Sequence, residues 1–322
     1  MRVLVTGAAG FIGSNLVDAL LKRGDQVIGL DNFDPYYDPR RKRRNLAAAL
    51  ARPGFELVEA DVTDEPRLRD LLAGERPDGV VHLAARVSNR NSLAAGTDGY
   101  SAVNAGGTSA LLAACRLAPV RSFVMVSTAN VYDSTAPAPF REGITPERPR
   151  TPYSRSKQEA EALALAAAAQ GLAATVLRLF TTYGPRQRPD MVHHRFVAGL
   201  LRGEPLSIIG AGSDLRDYIH VDDACAALIA CLDRPAAGEV INIGSGHGTS
   251  LAVLLAMLAR LTQMEPKVRR LRAAPADSRR LLADITKARR LLDWEPRVAL
   301  EEGLGAFVSW IAANDMPKEY IS

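Results

Sequence analysis

Val3-Leu4-Val5-Thr6-Gly7-Ala8-Ala9-Gly10-Phe11-Ile12-Gly13 is an apolar β-forming run that breaks into Gly-x-x-Gly-x-x-Gly and opens a helix-compatible segment, Asn15 to Arg23. Gly7 permits a tight turn, Gly10 lets backbone N–H groups approach a pyrophosphate, and Gly13 lets the helix pack on the strand. The helix N-terminus then faces the phosphates with unpaired N–H groups and a favourable dipole. A glycine triplet alone makes a tight turn as readily as a nucleotide site. Here Asp31 ends the next strand-like run 18 residues after Gly13. A carboxylate there accepts hydrogen bonds from ribose hydroxyls and repels a 2′-phosphate, so the pattern predicts NAD rather than NADP.

The same rhythm extends outward through the first half. Strand-like runs at Gln26 to Leu30, Phe55 to Glu59, Gly79 to Leu83, Ser122 to Val126 and Ala174 to Leu179 alternate with helix-compatible segments. Those segments include Glu65 to Leu72, Thr108 to Leu117 and Ser154 to Gln170. Continuous apolar strands separated by helices predict an α/β fold, a Rossmann-type doubly wound parallel sheet covered on both faces. After about residue 180, proline and glycine cluster and the rhythm loosens, with helices resuming at Val221 to Leu232, Ser250 to Leu261 and Leu300 to Ala312. The expectation is an NAD-binding domain over residues 1–180 and a smaller, loop-rich mixed α/β substrate-binding domain over 181–322, with interleaved segments. The basic run Arg40 to Arg44 reads as a solvated helix face.

Composition narrows the class. The chain has 322 residues, 47% hydrophobic and 24% charged, ordinary for a soluble globular protein. A net charge of +4 gives no nucleic-acid signature. Cys115, Cys225 and Cys231 form no close-spaced pair, and no signal peptide or membrane span is expected, so the reading is cytoplasmic.

Tyr153-Ser154-Arg155-Ser156-Lys157 carries the chemistry. A four-residue step puts a phenol and an ammonium on one helix face, a turn apart. A nearby cation favours the phenolate and would lower the tyrosine pKa from about 10, giving a general base beside a redox cofactor. Thr128, at the end of an apolar run, would hydrogen-bond the same substrate oxygen and help move the proton. Alone, Tyr-x-x-x-Lys is a common surface spacing; with Thr128 and the glycine turn it becomes a site.

Together with Asp31-Asn32, Asp61-Val62, His82-Leu83-Ala84-Ala85, Asn104, Gly107-Thr108, Arg216-Asp217-Tyr218-Ile219-His220-Val221-Asp222-Asp223 and Asn242-Ile243-Gly244, these marks resemble the extended short-chain dehydrogenases/reductases, specifically the nucleotide-sugar epimerase/dehydratase family. The resemblance spans essentially the whole chain. Three segments are most similar to UDP-glucuronate 4-epimerases: Asp31 to Pro39, His82 to Ala85 continuing to Arg90 and Ser92, and Phe180 to Met191. The resemblance implies C4 epimerisation of a UDP-sugar, UDP-glucuronate to UDP-galacturonate, through a transient 4-keto intermediate with bound NAD, in a homodimer. It places the cofactor against Gly7, Gly10, Phe11, Ile12, Gly13, Asp31, Asn32, Asp61, Val62, Leu83, Ala84, Asn104, Tyr153, Lys157 and Phe180. Thr128, Tyr153 and Lys157 match catalytic positions. Thr181, Arg188 and Arg90 match positions at the sugar and its carboxylate, Arg216 the nucleotide phosphates, and Asp277 a ribose. Ala129 and Asn130 stand where the family usually has serines.

Several readings stay open beside these. Arg188 and Arg216 read also as solvated loop residues, and Arg90 as surface. His193-His194 lacks the spaced partners of a metal site, and His82 at a strand end reads as structural. The small face Ala160, Ala164, Ala167-Ala168 reflects helix propensity or, as the resemblance favours, close packing in a dimer. The absence of carboxylates at Ala129 and Asn130 disfavours a 4,6-dehydratase or a decarboxylase. A UDP-glucose or UDP-N-acetylglucosamine 4-epimerase and a non-catalytic NAD-binding protein remain the alternatives.

Overall fold

The computed structural model describes residues 1–87, 98–132, 137–144, 151–210, 212–271 and 280–315. Valine and leucine run without polar alternation through β1 (Arg2–Thr6), and its burial is almost continuous. The same holds for β2 (Gln26–Asp31), β4 (Gly79–His82), β5 (Ser122–Thr128) and β6 (Ala174–Leu179), while β3 (Phe55–Glu59) lies at an edge. Strands this apolar need cover on both faces. One face is covered by α1 (Phe11–Arg23), and the other by α3 (Glu65–Glu75), α4 (Gly107–Cys115) and α5 (Pro152–Ala169); α2 (Pro39–Leu50) lies against α1.

The chain beyond residue 180 holds more regular structure than its proline and glycine content predicts. It contributes β7 (Thr181–Tyr183), α6 (Val192–Leu201), β8 (Leu206–Ile209), β9 (Leu215–His220), α7 (Val221–Asp233) and β10 (Val240–Ile243). These are followed by β11 (Gly248–Ser250), α8 (Leu251–Thr262), β12 (Val268–Leu271), β13 (Arg280–Leu281), α9 (Thr286–Leu292) and α10 (Leu300–Asp315). β10 pairs in parallel with β6 and completes a seven-stranded parallel sheet of order β3-β2-β1-β4-β5-β6-β10. α7 packs beside α1 on the face opposite α3 to α5. The strand order reverses between β1 and β4, so the carboxyl ends there open a crevice suited to a ligand. A smaller mixed sheet around β9, with β7 and β13 parallel and β11 antiparallel to it, sits with a separate apolar core of α6, α8 and α10.

Two expectations are corrected here. The alanine face of α5 is consumed inside the chain: Ala160, Ala164 and Ala167 are buried in the core shared with α3, α4 and the sheet. Their small size lets α5 lie close to its own sheet, so they do not form a dimer surface. The basic run is not a uniformly solvated face either. α2 turns Lys42 inward, 3.7 Å from Asp31, while Arg41 and Arg44 reach the Asp315 carboxylate at 2.9 and 3.2 Å. Arg43 stacks over Phe33 yet stays exposed, as do Arg44 and Arg40, the latter paired with Asp38, so the solvated-face expectation holds for those three and fails at Lys42.

The first turn is sterically committed. Gly7 has φ +71°, and a Cβ added at Gly13 would lie 2.1 Å from the Gly7 carbonyl oxygen. Gly13→Ala is expected to destabilise by roughly 1–3 kcal/mol through forced backbone displacement. Gly74→Ala, in the last turn of α3 where an added Cβ meets nothing, should instead stabilise by about 0.5–1 kcal/mol. Urea unfolding midpoints of the two variants check the contrast.

Candidate active site

The carboxyl edge of the sheet gathers the predicted residues. Thr128 is the last residue of β5, opposite Leu179 of β6, and caps the short turn Ala129–Val131. Thr151 caps α5 by accepting the Ser154 N–H at 3.1 Å, and Pro152 pre-sets its first turn. That start places Tyr153 and Lys157 on a helix face turned into the protein, leaving them 8% and 4% exposed. Thr128 is close enough to Tyr153 to act on its phenol, and Tyr100 meets Tyr153 edge-on at 6.4 Å.

The electrostatics differ from the sequence expectation. Burial pushes the Tyr153 phenol above its ordinary value of 10, with Tyr100 adding to the rise. Thr128 and the Arg188 guanidinium pull the other way. The expected depression by Lys157 is not among these influences, and removing a phenolate from water costs more than Thr128 and Arg188 offset. Lys157 is itself pushed down to about 8 by burial, against the opposing pull of Glu161.

Behind Lys157 lies a buried polar set that spacing did not single out. Arg178 on β6 donates to both Glu161 oxygens, at 3.0 and 2.7 Å, and Ser127 also hydrogen-bonds Glu161. Arg178 stacks over Tyr132, whose hydroxyl donates to Asn242 at 2.7 Å. Glu161 stands four residues after Lys157, a signal present in the sequence but indistinguishable there from a surface carboxylate.

The glycine turn fits a dinucleotide. α1 begins at Gly10 without a side-chain cap, and the turn is so tight that Cβ atoms at Gly7 or Gly13 would collide with backbone. Phe11, Ile12 and Gly13 form its first turn, the position at which backbone N–H groups receive an anion. Asp31 is buried, accepting from the Ala9 N–H at 3.0 Å and the Phe33 N–H at 2.8 Å, which leaves carboxylate lone pairs to spare. Asn32 donates to Asp61 at 2.7 Å. Burial raises the Asp61 carboxyl, but bonds from Thr63 and Asn32 outweigh it and hold the group below the usual range. Val62 packs against Gly107, and the Leu83 and Ala84 N–H groups bond Thr6. Asn104 has its side chain committed internally: it accepts from the Arg86 N–H and donates to the Arg86 carbonyl and to Ser156. Phe180 is buried against Tyr132.

On the opposite side, Thr181 is half-buried at the start of β7. Arg188 is neither solvated nor idle. Its side chain is 16% exposed and forks onto Asp190 at 2.9 and 3.0 Å, beside the Tyr36 ring, and Tyr36 donates to Asp190 at 3.1 Å. Arg216 lies half-buried on β9 between β11 and β13. Arg90 and Asp277 lie outside the described residues. His82 is structural: its ring bridges Thr6 at 2.8 Å and Thr108 at 3.0 Å, and burial with Lys157 nearby pushes it down to about 3. His193 is buried against Tyr218, and His194 bonds Asp315 at 2.7 Å.

The profile of the NAD dependent epimerase/dehydratase family matches residues 3–244. The chain belongs to that family. It is 36% identical to the UDP-glucuronate 4-epimerase of Thermodesulfobacterium geofontis, over 97% of this chain and 96% of the relative. The crystal structure of UDP-glucuronic acid 4-epimerase from Bacillus cereus, in complex with UDP-glucuronic acid and NAD, aligns with a TM-score of 0.91 at 35% identity, covering 97% of this chain and 99% of that one. A UDP-glucose 4-epimerase from Thermotoga maritima with UDP-glucose aligns with a TM-score of 0.90 at 33% identity, covering 98% of this chain and 100% of that one. Backbone similarity therefore supports NAD-linked sugar chemistry without separating an acid from a neutral sugar.

The Lys157 burial has a pH signature. Its folded pKa of about 8 lies below the ordinary 10.5, so between these values the unfolded chain binds more protons and stability rises with pH. Below pH 8 both states carry the charge, and the folded state bears its full burial cost. Lys157→Met should therefore gain on the parent at pH 7 relative to pH 10.5, by on the order of 3 kcal/mol. Urea unfolding of both proteins at the two pH values checks the sign.

Proposed function

We propose that this protein interconverts UDP-glucuronate and UDP-galacturonate at C4, with NAD as a resident cofactor. The observation that carries the acidic substrate is Arg188, a guanidinium close enough to act on the Tyr153 phenol. A neutral hexose needs no such cation. In this reading residues 1–180, with β10 added to their sheet, hold NAD, and the elements of 181–322 around β9 hold the nucleotide sugar.

Gly7, Gly10, Phe11, Ile12 and Gly13 would take the pyrophosphate, with Asp31 and Asn32 at a ribose. Asp61, Val62, Leu83, Ala84, Asn104, Phe180, Tyr153 and Lys157 would line the rest of the cofactor site. When bound, NAD supplies a hydride acceptor at C4 and returns the hydride. Tyr153 as phenolate takes the proton from the C4 hydroxyl and gives it back after the sugar has turned. Lys157 lends a buried positive charge to the same site, and Arg216 faces the nucleotide phosphates. A 4-keto uronate is a β-keto acid and loses CO2 readily. Arg188 and Thr181 holding the carboxylate oppose that loss by keeping its charge localised. Cytoplasmic residence is supported by three buried free thiols, and a homodimer by the family resemblance. No described helix is long and apolar enough to cross a membrane.

Purified protein offered UDP-glucuronate, UDP-glucose and UDP-N-acetylglucosamine should turn over the first, and product from the neutral sugars alone overturns the assignment. Tyr153→Phe should lower kcat by about 10²–10⁴-fold. Arg188 acts as a carboxylate clamp in this scheme. Arg188→Leu should raise KM for UDP-glucuronate at least tenfold (about 1.4 kcal/mol) while sparing residual turnover of UDP-glucose. Steady-state kinetics on both sugars, with CO2 release measured, check it.

A further inference from the structure

Arg186, in the loop between β7 and α6, has φ +67°, a backbone conformation better suited to glycine or asparagine. Such an outlier persists only where the surrounding contacts over-determine it. Here the contacts are with α1. The Arg186 guanidinium donates to the Ser14 carbonyl at 2.9 Å and to the Asp18 carboxylate at 2.6 Å. One residue earlier, the Pro185 carbonyl accepts from the Asn15 side-chain amide at 3.1 Å. The same amide donates to the Phe11 carbonyl at 2.9 Å. Pro185 and Arg186 are thereby seated on the first two turns of the helix that opens at the glycine turn.

The loop has little slack on either side of that seat. Gly184 has φ +135°, and a Cβ there would come within 2.8 Å of Val221 and 3.1 Å of His220. Gln187, 1% exposed, donates through its side chain to the Thr182 carbonyl at 3.0 Å and through its N–H to the Gly184 carbonyl at 3.2 Å. Arg188 follows directly and forks onto Asp190. Its place is thus inherited from the seat of Arg186 on α1.

We propose that Arg186 is a positioning residue, fastening this loop to the cofactor helix and so setting where Arg188 meets the sugar carboxylate. The proposal rests on the reading of Arg188 as the carboxylate clamp. The Arg186 and Asp18 side chains are 19% and 33% exposed, and a pair so near the surface adds little stability by itself. A residue suited to stability alone would be glycine or asparagine, which accept the left-handed angle. Arginine stands there against that preference, and what it adds is a fixed distance between two parts of one site.

Arg186→Asn tests this, because it removes the guanidinium while suiting the backbone. Calorimetric binding of UDP-glucuronate, UDP-glucose and UDP to the NAD-loaded protein, in a Tyr153→Phe background to prevent turnover, gives the readout. Arg186→Asn should weaken UDP-glucuronate about tenfold while UDP stays within about twofold. Asp18→Ala, a helix-favouring change on α1, should reproduce the loss, and the double variant should add little to either single one. Arg186→Lys, which keeps a cation for Asp18 but not the planar fork, should fall between. If Arg186→Asn does not fold, Asp18→Ala and Arg186→Lys decide. Unchanged UDP-glucuronate affinity with lowered thermal stability overturns the proposal, as does equal weakening of all three ligands. Failure of the uronate reading shows earlier and elsewhere: the protein with its loop intact would bind UDP-glucuronate no more tightly than UDP-glucose, and the proposal would fall with it.

Discussion

Lys157 and Glu161 are two charges buried on one helix face, and the site depends on how they are compensated. A buried ammonium is costly unless an anion faces it, and a buried carboxylate is costly unless hydrogen-bonded. Glu161 draws Lys157 upward, and Glu161 is in turn held by both arms of Arg178 and by Ser127. These groups come from α5, β5 and β6, so packing of the helix on the sheet and charge compensation are one event. The alanines of α5 allow the close approach, and the Thr151 cap fixes where the helix begins. Shifting that start by one residue would swing Tyr153 away from Thr128 by about 100°.

A second chain of contacts ties the N-terminal elements to those beyond residue 180. Tyr36, in the loop after β2, bonds Asp190, which holds Arg188, whose charge acts on Tyr153. Asp315, at the end of α10, gathers Arg41 and Arg44 from α2 and His194 from α6. Its carboxyl is raised by burial but held below the ordinary range by these partners. Buried ion pairs of this kind add little net stability yet penalise misalignment heavily, since each charge left behind is unpaired. They keep the two sets of elements in register.

The electrostatic reading carries the main revision to the chemistry. A cation four residues from a tyrosine suggested a phenol already poised low. Instead the free-energy cost of burying the anion dominates, and the groups that oppose it are Thr128 and Arg188, neither of them adjacent in sequence to Tyr153. In the proposed function Arg188 has two tasks in one place, favouring the phenolate and receiving the sugar carboxylate. That economy ties substrate choice to the reactivity of the base.

Local physics alone determined much of this protein. The apolar runs could only be strands buried on both faces, the glycine turn could only be tight, and Tyr153 with Lys157 could only share a helix face. Steric and periodic rules act within a few residues, and for that reason they are visible in order along the chain. Tertiary structure alone decided that Val240–Ile243 completes the large sheet, that Lys42 turns toward Asp31, and that Ala160, Ala164 and Ala167 of α5 face inward. It also decided that Arg178 faces Glu161, that Asp190 holds Arg188, and that Asn130 donates to Thr128. Most of these pairings join segments far apart in sequence, and even the local ones depend on which way a side chain turns, so no spacing rule encodes them.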